Sequence, residues 1–174
     1  PTTAGCYDAT QNGNSDVVLS ILKLTSLGPA DLLYSTYLGG NDSDECHGLA
    51  VDGTGQAYIG GATRSSDFPA TGGPPYNGTF DAFISQILPA GAGAADLIAS
   101  QKFGGTGQDY GGAVAVDFFG VAFDGITGST NFPTTSGVYQ PAYGGGTSDG
   151  FVMILMPNLS AVFYCTYLGG ANSD

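Results

Sequence analysis

Three short runs of continuous apolar residues open on an aspartate: Asp16 to Leu22, Asp81 to Leu88, and Asp149 to Met156. Bounded by Gly, Pro and Asn, they predict strands buried on both faces. Pro89 and Pro157 stop two of them. A turn leads from each to a second strand type, at Asp31 to Leu38, Asp96 to Phe103, and Ser160 to Leu168. A diglycine closes it in every case, and the tight exit predicts glycine there for a positive φ. Smaller residues form a third type, Gly48 to Asp52 and Ala113 to Asp117. Hairpin turns at Asp52-Gly53-Thr54-Gly55 and Asp117-Phe118-Phe119-Gly120 join it to a fourth, Ala57 to Gly61 and Ala122 to Gly125. No segment holds a 3.6-residue apolar rhythm for ten residues without Gly or Pro, so no helix is expected. Long polar loops rich in Gly, Pro and Tyr follow the fourth type and offer the candidate functional surface.

The strands repeat as a set. Tyr37-Leu38-Gly39-Gly40-Asn41-Asp42-Ser43-Asp44 returns as Tyr167-Leu168-Gly169-Gly170-Ala171-Asn172-Ser173-Asp174, with a looser copy at Lys102 to Asp109. The closing aspartates, 44, 109 and 174, set a period of 65 residues. A fixed period of that size marks a repeat architecture. Pro1 to Tyr7 matches Pro133 to Tyr139, so residue 1 stands some way into a unit. The chain reads as one contiguous repeat domain with units at 1–44, 45–109 and 110–174. Four antiparallel strands per unit predict an all-β fold of β-propeller-type blades. The first unit carries two strands, giving about two and a half blades, too few to close the usual ring of about four to eight. A parallel solenoid is the rival, but its coils are usually shorter and lack these hairpins.

The motifs YSTYLGG (34–40), GLAVD-GTGQAYIGGAT (48–63), SSDFPATGG (65–73), DAFISQIL (81–88) and YCTYLGG (164–170) resemble the SBBP family of bacterial β-propeller repeats, over nearly the whole chain. The resemblance implies extracellular or cell-envelope bacterial proteins whose repeats form blades. It implies no single activity, because such folds host many.

Composition narrows the partners. Three Lys and Arg face fifteen Asp and Glu, a formal net charge of -12. So acidic a surface repels nucleic acid and anionic membranes, while it attracts divalent cations. No apolar run is long enough for membrane insertion. Low Lys with abundant Gly, Ser and Thr suggests a secreted or surface-bound protein.

The candidate chemistry is sparse. Asp42, Asp44 and Asp109 offer oxygen ligands suited to Ca²⁺, though the full Asp-x-Asp-x-Asp-Gly loop is missing. The competing reading is a turn whose carboxylate accepts backbone N–H bonds. Tyr76, Tyr139 and Tyr143, in the long loops, are candidates for stacking on glycans or for a protein contact. Cys6, Cys46 and Cys165 make an odd count, leaving at least one thiol unpaired within the chain or available to bridge chains. His47, the single histidine, sits in an apparent loop beside Cys46 without the context of a nucleophile. Asn41, Asn77 and Asn158 head formal N-glycosylation triplets.

These features point to a non-catalytic structural or adhesive module that joins other copies, or flanking repeats of a longer chain, in a ring or filament. A carbohydrate-binding propeller and a non-catalytic part of a larger secreted enzyme are the alternatives. The physical ground is the bare terminal sheet face. About 500 Å² of apolar area left in water forgoes roughly 12 kcal/mol.

Overall fold

The computed structural model describes residues 1–73, 75–76 and 79–174. Among the described residues, ten strands form three separate antiparallel sheets. β1 (Val17–Leu22) and β2 (Leu32–Leu38) make the first. The second is a meander of β3 (Asp44–Val51), β4 (Ala57–Thr63), β5 (Asp81–Ile87) and β6 (Leu97–Phe103). The third repeats it with β7 (Asp109–Val116), β8 (Val121–Thr127), β9 (Asp149–Leu155) and β10 (Val162–Leu168). Short 3-10 turns at Gly28–Asp31 and Gly93–Asp96 precede β2 and β6. Asp31 and Asp96, expected to open those strands, instead close the turns: Asp31 accepts the Leu27 N–H at 3.1 Å and Asp96 the Ala92 N–H at 3.0 Å.

The sheets stack face on face in chain order. One core lies between the first and second sheets, where Val17, Leu19, Tyr34 and Leu38 meet Ile59, Phe83 and Ile87. The other lies between the second and third, where Tyr58, Ala82 and Ile84 meet Phe123, Phe151 and Met153. The middle sheet is thus covered on both sides, and β4 and β5 are buried at every residue. Glycines let β3 and β4 approach β7 closely. A Cβ on Gly60 would fall 2.6 Å from Val114 Cγ2 and 2.8 Å from Phe123 Cε2.

This architecture corrects the propeller expectation. The fold is all-β, but its three sheets do not close into a ring or barrel, and no propeller blades are formed. The repeat specifies hairpins and one-sided packing between neighbours. Closure depends on the angles between sheets, which no local motif states.

Burial of the Asp-led strands on both faces holds for β5 alone. β1 and β9 alternate between buried and more accessible residues. The third strand type starts earlier than expected, at Asp44 and Asp109, so Cys46 and His47 lie within β3 and not in a loop. His47 is the bulged residue there, since Cys46 pairs with Gly61 and Gly48 with Gly60. The equivalence of β4 and β8 also moves by one residue, Ala57 matching Val121, because the Asp117 turn is one residue shorter than the Asp52 turn.

Candidate functional site

The outer face of the third sheet carries an open groove of about 700 Å³. It is lined by Gly112, Gly125, Gly150, Val152, Ile126 and Leu168, with His47, Glu45, Tyr110 and Asp124 at the rim. Strand alternation makes it. Phe123 and Phe151 turn inward to the core, so their neighbours Asp124, Ile126, Gly150 and Val152 turn out. The glycines leave the backbone bare. Ile126 and Leu168 are about half exposed, at 45% and 53%.

His47 joins two sheets at this rim. Its Nδ1–H donates to the Gly111 carbonyl of β7 at 2.7 Å, and Nε2 lies 3.3 Å from Glu45 Oε2. The ring is therefore engaged through both nitrogens, and Cys46 turns its thiol to Gly48 O at 3.6 Å.

The repeated aspartates gather at the joints between sheets. Asp44 Oδ2 accepts the Gly40 N–H and the Ser65 hydroxyl, each at 2.8 Å. Asp109 repeats this with the Gly105 N–H at 2.8 Å, the Ser129 hydroxyl at 2.7 Å and the Thr127 hydroxyl. Both carboxylates do accept backbone N–H bonds. Asp42 is held apart, accepting from the Asn14 amide at 2.9 Å. Beside Asp44 and Asp109 the structure also places other aspartates. A Cβ on Gly39 would lie 2.8 Å from both Asp16 Oδ1 and Asp44 Oδ2. One on Gly104 would collide with Asp81 Oδ1 and lie 3.0 Å from Asp109 Oδ2. Gly39 and Gly104 are needed for this reason and not for a positive φ, which no residue of the diglycines adopts.

Desolvation pushes the carboxyls of Asp44 and Asp109 up, against the hydroxyl and N–H donors that pull them down. Asp81 is pushed up to about 6, by burial first and by Asp109 next, with Lys102 opposing. Asp16, Asp81 and Asp149 were not among the candidate ligands that the sequence suggested. The signal was present, since each opens an apolar run at the same place in its unit.

The loop tyrosines are not brought to the groove. Tyr143 packs edge-on against Tyr167 at 5.9 Å and joins the core. Tyr76 donates to Thr79 O at 2.7 Å and has Lys102 Nζ 5.8 Å over its ring. Tyr139 is exposed. Cys6 and Cys165 are buried, Cys46 is exposed, and all three are free thiols. Of the glycosylation triplets, Asn77 and Gly78 lie outside the described residues.

Comparison with known proteins gives partial matches. A family model described as "SBBP: Beta-propeller repeat" matches residues 33–69. A 71-residue stretch, 41% of this chain, is 35% identical to the regulatory protein FlaEY of Caulobacter vibrioides, of which it covers 7%. The chain thus spans a small fraction of that relative's length. The family match runs from β2 to the loop after β4, and not over nearly the whole chain as expected. With sheets that do not close, the expected assignment to a propeller family is withdrawn.

Proposed function

We propose that this chain is a non-catalytic structural or adhesive module, secreted or displayed on a bacterial surface, that assembles through the open faces of its outer sheets. One observation carries the reading. β5 and β9 occupy the same place in successive sheets and share the pattern of an Asp followed by apolar residues. In β5 both faces are covered, because β7 packs on the sheet that contains it. In β9 the face bearing Val152 and Ile154 has no sheet against it among the described residues and stays partly accessible. The opposite end of the stack repeats the situation, with Val18, Leu22 and Leu33 more than half exposed. Apolar groups grouped on a face that its neighbour covers elsewhere mark an interaction surface. The covering element is a further sheet of the same kind, from another copy or from flanking repeats.

Negative-stain microscopy of the purified protein tests this. Rings or filaments support the reading, and isolated small particles at every concentration contradict it. A second reading, glycan binding, rests on the groove, where Tyr110 stands with Glu45 and Asp124 at the rim. A glycan array separates the two: specific sugar binding that Tyr110→Ala abolishes favours the second.

A further inference from the structure

Both joints between successive sheets present a pair of aspartates across a diglycine, and the pair at the second joint is the more deeply enclosed. Asp81 opens β5 of the middle sheet, Asp109 opens β7 of the third, and both reach the bare backbone of Gly104. Asp81 is 1% exposed and Asp109 is fully buried. Asp109 is satisfied by three donors. Neither carboxylate oxygen of Asp81 has a hydrogen-bond partner among the described residues. Leaving an ionised carboxylate buried and unpaired costs several kcal/mol, so something must neutralise it.

The neighbouring side chains do not. The chain has three Lys and Arg in all. Lys102, the nearby cation, lies over the Tyr76 ring and forms no ion pair with an aspartate among the described residues. The same device recurs at the first joint and at the end of the third sheet. Asp16 Oδ1 is without a partner beside Gly39, where Asp44 Oδ2 also lies, and Asp44 Oδ1 is without a partner as well. At the end of the third sheet, Asp149 Oδ1 is without a partner 2.5 Å from where a Cβ on Gly169 would sit, while Asp174 accepts the Gly170 N–H at 2.6 Å. Three occurrences of unpartnered buried oxygens at one place in the repeat make a design of the fold.

We propose that the Asp81–Asp109 pair is a divalent-cation site that clamps the second sheet to the third, with Asp16–Asp44 a second site of the same kind. The donors are all oxygen, with no His or Cys beside them, which selects a hard cation over zinc or copper. Ca²⁺ fits best. It accepts carboxylates, carbonyls and water in irregular geometry, whereas Mg²⁺ demands a near-ideal octahedron. The site differs from an acidic loop of consecutive residues because its two carboxylates come from separate sheets. Binding therefore reports on how the sheets are joined.

The test is calorimetric titration of Ca²⁺ into chelator-treated protein, alongside thermal melts with and without about 1 mM Ca²⁺, the weak end of extracellular sites. Ca²⁺ is expected to raise the Tm by at least about 2 °C, reversibly with EDTA. Asp81→Asn keeps the shape and removes the unpaired charge, so it is expected to fold and to bind one Ca²⁺ fewer per chain. Asp42→Asn, outside the pairs, is expected to bind as the wild type does. Absence of Ca²⁺ binding, or unchanged stoichiometry in Asp81→Asn, overturns the proposal. So does a melt indifferent to Ca²⁺ whose pH dependence vanishes in Asp81→Asn, which would show a pair closed by a proton.

Discussion

The Tyr34 hydroxyl donates to Asp96 Oδ2 at 2.9 Å, binding the first sheet to the β5–β6 turn of the second across 62 positions of sequence. Tyr58 does the same in the next sheet, donating to Pro157 O at 2.9 Å in the β9–β10 turn. A phenol from each sheet thus pins the turn of the sheet that follows. Tyr34 is pushed up to about 12, by burial foremost and by Asp96 in addition, so it stays a donor at any ordinary pH. Tyr34→Phe is expected to lower unfolding free energy by about 1–3 kcal/mol, the cost of an unmade buried hydrogen bond. Urea denaturation measures it.

The aromatic seam between the second and third sheets is a core contact and behaves as one. Phe151 lies 4.6 Å from Phe132 and 5.7 Å from Phe123, ring centre to ring centre. Phe151→Ala is expected to cost about 3–5 kcal/mol, seen as a lower denaturation midpoint. Gly60→Val should also destabilise, since its side chain would enter the space of Val114 and Phe123. A chain in which Gly60→Val melts like the wild type would show that the sheets are not so closely packed.

Acidity acts through Asp81 in metal-free protein. Its carboxyl titrates near 3.8 in the unfolded chain and near 6 when folded. Between those values the folded protein holds a proton that the unfolded chain has released. The Asp81 contribution is therefore fully present below about pH 4 and is lost as pH rises through about 6. In EDTA, unfolding free energies measured across this window should decline with pH in the wild type and decline less in Asp81→Asn.

The three thiols should separate by reactivity. Cys165 is 1% exposed and burial pushes its thiol up to about 12, so it should resist a disulfide reagent at neutral pH. Cys6 is buried as well. Native protein is expected to release one equivalent from Ellman's reagent, through Cys46, and denatured protein three. Cys46→Ser should abolish the native reaction. Two or more equivalents from the native state would contradict the packing around Cys6 and Cys165.

Every strand was legible in the sequence, because strand period and turn residues are local. Asp52 and Asp117 announce their hairpins, and their carboxylates do accept the N–H groups of Thr54 and Phe119, each at 2.8 Å. That the stacked sheets are not propeller blades was not legible. It depends on how β7 rides over β3, β4 and β5, which no motif encodes. The site was half legible. Asp44 and Asp109 stood out as repeated residues, while Asp16 and Asp81 read only as strand borders, since their oxygens meet the others through the fold. The groove had no signature at all. Gly112 and Gly150 look like turn residues along the chain, and only strand alternation turns them outward.

Assembly through the outer face of the third sheet is tested most directly by sedimentation velocity over a range of concentrations. The wild type is expected to shift to larger species as concentration rises, whereas Ile126→Asp with Val152→Asp is expected to remain a folded 17.5 kDa monomer. A wild type that stays a folded monomer at every concentration, indistinguishable from the double variant, would contradict it.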